Sequence, residues 1–263
     1  MKTLKRTAGF SALALSALLL TGCGSSIPKN TVHSIADLNG KKIGVQIGTT
    51  GDTLAGDIEN ATVQQFTKAA DGVQALQQGL IDAVMVDEET ANTYVAENED
   101  IEVLSEAYAD EQYAIAVAKE NTALLEEING ALSQLSLNGT LGRIKDNYEG
   151  DEQGQHPYEV QKGVNRPKGK LIMATNAEFP PYEEWKGEEI VGFDVDMMNA
   201  VCDYLGYELQ ISDMSFESVL PAVSGGRADV GVAGLSVTEE RLQEVAFSDV
   251  YATTRQVVIV RKD

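Results

Sequence analysis

Apolar residues along this chain fall into short runs of two kinds, and the two kinds alternate. Some runs are apolar at nearly every position: KKIGVQIG from Lys41, DAVMVD from Asp82, AIAVAK from Ala114, KLIMAT from Lys170, DVGVAG from Asp229 and RQVVIV from Arg255. Short continuous runs of this kind predict strands covered on both faces. ATVQQF and ELQIS are further strand candidates. Between them, DGVQALQQGL, EETANTYVAENE, VGFDVDMMNAVCDYLG and FESVLPAVSGG predict helices. In the third of these, Met197, Val201 and Leu205 share one face at helical spacing. The alternation predicts an α/β fold with mixed, mostly parallel sheets. In such sheets ligands bind beyond the carboxyl ends of the strands, which directs attention to the residue after each run.

Two segments break the pattern. At the start, Lys2, Lys5 and Arg6 precede an apolar stretch from Ala8 to Leu20. That stretch is too short for a membrane helix, which takes roughly 20 residues, and reads as a signal for export. It ends in Leu20-Thr21-Gly22-Cys23, which resembles the lipobox of bacterial lipoproteins. The expectation is cleavage after residue 22, a lipid on Cys23, anchoring to the membrane, and a polar tether over 23–32. The second break, 151–169, contains Gly154, Pro157, Gly163, Pro167 and Gly169 with few apolar residues, and reads as a linker.

Charge and cysteine content narrow the function. The chain of 263 residues has a formal net charge of −21, so no basic face for nucleic acid is expected. Cys23 and Cys202 are its two cysteines, and His33 and His156 stand far apart in sequence. A disulfide framework, a redox motif and a structural zinc site are therefore not expected, nor is any cofactor. Cys202, four residues after Met198, reads as a small core hydrophobe.

Chemistry gathers after the strands. DVGVAG is followed by Leu235-Ser236-Val237-Thr238-Glu239-Glu240-Arg241. Ser236 or Thr238 suits a helix N-cap, and the two glutamates suit the helix's positive end, but Arg241 opposes it. Arg241 either pairs with Glu239, Glu240 or Glu244, or grips an anionic ligand, for which its planar fork is matched. Thr49-Thr50-Gly51-Asp52 follows KKIGVQIG and enters a helix, so its N–H groups could also face an anion. No Gly-Lys-Ser/Thr follows, which argues against nucleotide binding. Asp87, after DAVMV, is either an N-cap or a carboxylate for an ammonium group. Asn176-Ala177-Glu178-Phe179-Pro180-Pro181-Tyr182 follows KLIMAT, its Pro-Pro pair stiffening a loop that presents Asn176 and Phe179. Phe216 occupies a comparable position, and either phenylalanine could be plain core. A cation, N–H groups, a carboxylate and aromatic surfaces together complement an amino acid.

These residues resemble the polar amino-acid family of type II periplasmic and extracellular solute-binding proteins, the capture components of ABC importers. The matching segments are ATNAEFPPYE, GFDVDM, FESVLPAVSGGRADVGVAGLSVTEER, FSDVY, SIADLNGKKIGVQIGTTGD, GLIDAVMVD and LSLNGTLGRIKDNY. Their order departs from the family's, in which ATNAEFPPYE comes first, and this implies a circular permutation closed by the 151–169 linker. The resemblance implies two lobes with the ligand in the cleft between them. One spans 33–109 plus a C-terminal strand, 256–263. The other lies within 110–255, with hinges near 109–113 and 251–255. It implies that Arg241 clamps the ligand carboxylate with N–H groups of Ser236 and Thr49. Asp87 would hold the α-ammonium with Ser236 and a carbonyl at Ala233 or Gly234, and Phe179 and Phe216 would sandwich the side chain. Asn176 stands where the family often has Asp. Gln46 stands where a glutamine binder has Lys, and Thr50 replaces a glycine. Glu178, Glu183 and Glu184 lean the expected ligand toward a basic one. A monomer delivering its ligand to an ABC permease is the expectation. Alternatives on the same fold are a cyclohexadienyl dehydratase, which needs a placed general acid, and a sensor presenting its closed form to a receptor.

Overall fold

The computed structural model describes residues 27–150 and 153–263. The leader and Cys23 lie outside the described residues, and among those described no helix is long and apolar enough to cross a membrane. After a 3₁₀ turn, Ile35–Leu38, the chain runs β1 (Lys42–Gln46), α1 (Thr50–Gly56), β2 (Thr62–Phe66), α2 (Ala69–Gln77), β3 (Ala83–Asp87), α3 (Glu88–Glu97) and β4 (Ile101–Val103). Then come β5 (Ala109–Tyr113), β6 (Ala116–Val117), α4 (Thr122–Leu137) and α5 (Thr140–Tyr148). Beyond 151–169, where the described residues form no helix or strand, follow β7 (Lys170–Thr175), β8 (Glu178–Phe179), β9 (Glu183–Lys186), β10 (Glu189–Val191) and α6 (Phe193–Leu205). The chain ends with β11 (Glu208–Asp213), α7 (Val219–Ser224), β12 (Val230–Gly231), β13 (Ala246–Phe247) and β14 (Ala252–Arg261).

The strands form two main sheets and a small one. The first has the order β2-β1-β3-β14-β4, the second β11-β7-β12-β6-β13, and β10-β9-β8 forms a flap. Each main sheet is parallel over its first three strands and antiparallel beyond them, so both are mixed. In each, the antiparallel half begins with a strand contributed by a distant part of the chain.

Burial explains why the strands read as continuous apolar runs. In β3, Val84 and Val86 enter one core cluster while Ala83 and Met85 enter another. In β14, Val257 and Ile259 go to the first cluster, Val258 and Val260 to the second. Successive side chains point to opposite faces, and both faces are covered. A separate cluster with Ala116, Ala174, Val219 and Val223 lies in the second sheet's half. Cys202 is buried within α6, and burial pushes its thiol up to about 12, so it is inert packing.

The two halves are joined by a two-stranded ribbon. β5 pairs antiparallel with the first half of β14, Tyr113 opposite Ala252 and Ala109 opposite Gln256. The ribbon leaves the first sheet and enters the second half, where the Ala114 N–H donates to Leu235 and the Ser248 N–H to Ile115.

One buried acid pair shapes this second half. Glu183 on β9 and Asp194 in the first turn of α6 are both fully buried and act on each other's charge. Asp194 Oδ2 also accepts from the Gly234 N–H at 3.0 Å and the Tyr251 hydroxyl at 2.9 Å. Burial pushes Asp194 up to about 6. Burial and then the Asp194 charge push Glu183 well above the usual glutamate range, so Glu183 keeps the proton.

The folded protein holds this proton more tightly than the unfolded chain does. The contribution is fully present below the ordinary glutamate range, about 4.3, and is lost as pH rises. Glu183→Gln keeps the shape without the titratable proton. Wild-type stability relative to this variant is expected to fall by up to ~1.4 kcal/mol per pH unit above that range. Urea denaturation of both proteins between roughly pH 4.5 and 7.5 checks it, and parallel stability curves would contradict it.

Candidate functional site

The carboxyl ends of β1, β3, β7 and β12 and the loops that follow them face one another across a cleft between the two halves, with the ribbon along one side. Two connected spaces occupy it. The inner one, about 10 Å3, is lined from one half by Gln46, Thr49, Thr50 and Asp87, and from the other by Phe179, Phe216, Ala233, Gly234 and Arg241. It has room for about one water. The outer one, about 720 Å3, shares Thr49, Thr50, Phe216 and Arg241 and adds Ser236 and Glu111. The outer space is the larger, but the inner one holds the complementary chemistry.

Arg241 forms part of the wall between the two spaces. Its Nη1 donates to the Ser236 carbonyl at 2.9 Å, and its Nη2 reaches across the cleft to the Gly48 carbonyl at 3.2 Å. Its guanidinium lies 5.5 Å from the Phe216 ring centroid, within cation–π range. Among the described residues no carboxylate comes within ion-pair distance of it. The pairing with Glu239, Glu240 or Glu244 left open by the sequence is not formed. Burial lowers its pKa, with Glu111 and Asp87 the main opposing charges, and the group stays cationic. Two of its five N–H donors are engaged by these carbonyls. The helix expected to start near Ser236 is a single 3₁₀ turn, Arg241–Gln243, with the Thr238 hydroxyl accepting from the Arg241 N–H at 3.2 Å. Such a turn has almost no macrodipole, so the expected conflict with Arg241 hardly arises.

Asp87 ends β3 and begins α3, yet its side chain makes no capping bond. It is 7% exposed and turns into the cleft, where the Tyr113 hydroxyl donates to it. Burial first, and then the adjacent Glu111 carboxylate, push its pKa well above the usual aspartate range. Glu111 was not anticipated from sequence. It lies on β5, is 8% exposed, and accepts from Gln256 Nε2 at 2.8 Å. Strand alternation could have found it, because Glu111 and the fully buried Tyr113 share one face of β5.

The remaining residues complete the walls. Thr49 caps α1, its hydroxyl accepting from the Asp52 N–H, while its own N–H turns to the Gln46 carbonyl at 3.4 Å. Thr50 Oγ1 accepts from Gln256. Phe179 stacks on Tyr182 at 5.2 Å and lies over Gly234. That glycine has φ +55° and leaves no room for a Cβ, which would meet Phe179 Cε1 at 2.5 Å. Asn176 is outside the cavity linings and acts through Gln46, whose Nε2 donates to Asn176 Oδ1 across the cleft at 2.8 Å. A second cross-cleft pair, Lys68–Glu178, lies at 2.6 Å nearer the surface.

The glutamates expected to favour a basic ligand are already engaged. Glu178 pairs with Lys68, Glu184 with Lys186, and Glu183 is buried against Asp194. None of them lines the cleft cavities; the acidic groups that do are Asp87 in the inner space and Asp110, Glu111, Glu217, Glu240 and Glu244 in the outer one. Among the described residues no cluster of His, Cys, Asp and Glu could hold a metal ion.

With this geometry in place, residues 171–263 match the family described as bacterial extracellular solute-binding proteins, family 3. The stretch supplies most of the second sheet, Phe179, Phe216, Arg241 and β14. The chain is 40% identical over 101 residues to an arginine-binding extracellular protein of Bacillus subtilis (strain 168), covering 38% of this chain and 40% of that one. It is 38% identical over 96 residues to a probable histidine-binding protein of Neisseria gonorrhoeae, covering 36% of each. Among solved structures, the arginine-bound form of domain 1 from TmArgBP is 37% identical. That match covers 36% of this chain and 82% of that chain, with a TM-score of 0.32. The chain thus spans about two fifths of the length of the curated relatives it matches. Those relatives are named as binding proteins. The type II solute-binding fold suggested by the sequence agrees with the two mixed α/β sheets and the family match.

The Lys68–Glu178 pair is half-exposed and bridges the cleft mouth, so its contribution to closure is small, about 0.2–1 kcal/mol. Lys68→Ala is expected to weaken binding of a cleft ligand by no more than about fivefold, with the loss shrinking at high salt. Calorimetric titration at low and high salt checks this, and a hundredfold loss would contradict it.

Proposed function

We propose that the cleft binds a polar L-amino acid, with a basic one favoured, and that the protein is the extracytoplasmic capture component of an ABC importer. The observation that carries this reading is the placement of Arg241 and Asp87 in one small buried space, from opposite halves. A guanidinium matches an α-carboxylate bidentately, and a carboxylate matches an α-ammonium. Phe179 and Phe216 line the same space as surfaces for a side chain. The inner space is too small for an amino acid, so the ligand enters with the halves parted. They close on it by bending at the ribbon of β5 and β14. The bonds Arg241–Gly48 and Gln46–Asn176 are the ones a ligand would exchange.

A basic ligand is supported by charge. Asp87, Glu111, Asp110, Glu217, Glu240 and Glu244 line the two spaces against one Arg241, so acidic groups outnumber the cation and a positively charged ligand reduces the imbalance. The names of the matched relatives, arginine- and histidine-binding, point the same way. Delivery to a permease rests on the family match, and a monomer is the working expectation.

The permuted order is part of this reading. Its support is the order of the motifs along the chain, with residues 153–169, which form no helix or strand, lying between α5 and β7. Two lobes hinged near 109–113 and 251–255 follow from the same reading, one of them 33–109 with 256–263. Anchoring through a lipid on Cys23 rests on the lipobox sequence alone, and a mature N-terminal mass without a diacylglycerol would remove it.

Arg241→Ala is expected to abolish measurable binding while the thermal unfolding profile stays that of a folded protein. Leaving a buried carboxylate without its partner costs about 3–5 kcal/mol, which is roughly a hundred- to several-thousand-fold in affinity. Calorimetry with arginine, histidine, lysine and glutamine on both proteins tests the assignment. Unchanged affinity in the variant would refute it.

A further inference from the structure

Glu111 has no role in the reading above beyond its charge, yet its surroundings are those of a ligand contact. It is almost fully buried, lines the outer space, and lies against Asp87, which lines the inner one. The two carboxyls therefore meet where the spaces join. Asp110, Glu217, Glu240 and Glu244 line the outer space with Glu111, and the Asp87 charge acts on Tyr182 and Glu183. From β5, Tyr113 donates its hydroxyl to Asp87. From β14, Gln256 donates Nε2 to Glu111 Oε2 at 2.8 Å and to Thr50 Oγ1 at 3.4 Å, while its Oε1 is buried without a hydrogen-bond partner. From the other half, Arg241 is the one cation whose field reaches both acids, too far away to pair with either.

We propose that Glu111 is a ligand-binding residue: Asp87 and Glu111 together seat the ligand's ammonium, which takes the place of a proton the two carboxyls share in the free protein. This deepens the amino-acid reading of the cleft and rests on it. Two buried carboxylates in contact cannot both ionise without a cation between them. Burial and the Glu111 charge accordingly hold the proton on Asp87. Tyr113 cannot supply a proton near neutral pH, because burial and the Asp87 charge push its phenol well above its ordinary value. An ammonium ion brings a full positive charge and three N–H donors. It can donate to both carboxylates at once, which the single shared proton cannot. On binding, the Asp87 O–H bond breaks and its proton leaves to solvent, while the ammonium keeps its own three.

The experiment is calorimetric titration of the wild-type protein with the amino acid it binds most tightly, in buffers of different ionisation enthalpy. It is repeated at roughly pH 6 and pH 8. The expected result is release of about one proton per ligand and an affinity that rises up to tenfold per pH unit. In Glu111→Gln, Asp87 keeps its burial but loses its charged neighbour, so release should fall below the wild-type value and the pH slope should flatten. Glu111→Asp, which keeps the carboxylate, should restore both. Wild-type binding with no proton release and no pH slope would overturn the proposal, as would a Glu111→Gln variant with the wild-type slope. Because the wild-type measurement decides by itself, a variant that failed to fold would not leave the matter open. If the wild-type protein bound no amino acid at all, the reading of the cleft would fail and this proposal with it. Binding without proton release would sink this proposal alone.

Discussion

The charges in the cleft constrain everything around them. Arg241 and Asp87 line the small inner space, Glu111 lies against Asp87 from the outer one, and none has an ion-pair partner among the described residues. Removing such groups from water costs several kcal/mol each unless they are compensated. The protein compensates them incompletely. Carbonyls of Ser236 and Gly48 take two donors of Arg241, Tyr113 serves Asp87, and Gln256 serves Glu111. Groups held at this cost, with capacity left over, are suited to a ligand that carries both a carboxylate and an ammonium. Sites of perturbed ionisation in a cleft are functional candidates for this reason.

The architecture holds these groups on different parts of the fold. Asp87 stands at the carboxyl end of a strand covered on both faces, and its backbone is fixed by the first sheet. Arg241 is fixed by the other half, through Ser236 and the one-turn 3₁₀ segment. The connection nearest the site is the ribbon of β5 and β14, which also carries Glu111, Tyr113 and Gln256. Bending that ribbon would change the distance between the carboxylates and the guanidinium. The Glu183–Asp194 pair supports the site from behind by holding the Gly234 N–H, which sets the floor beneath Phe179.

Much of the fold is legible in the sequence because local pattern and burial agree. The run Ala83–Asp87 reads as a strand covered on both faces, and its neighbours enter two different core clusters. The Phe193–Leu205 helix carries its apolar face at the expected spacing. Arg241 was conspicuous because a cation follows two glutamates in what read as a helix start. The structure keeps the arginine and discards the helix, leaving one 3₁₀ turn whose Arg241 N–H donates to the Thr238 hydroxyl. Glu111 was hidden among Asp110 and Gln112, because which polar residue of a short strand turns inward depends on its pairing with β14. Glu178, Glu183 and Glu184 were misjudged for the complementary reason. Proximity in sequence to a pocket loop does not reveal that Lys68, Asp194 and Lys186 already engage them.

The most direct test of the central claim is a thermal-shift screen of the twenty amino acids with ornithine and citrulline. Ligand in excess stabilises the bound form by about 4 kcal/mol at a thousand times its dissociation constant. A marked rise in melting temperature for one or a few amino acids, larger for arginine than for its uncharged analogue citrulline, is the predicted result. A flat response across the whole panel would contradict the account.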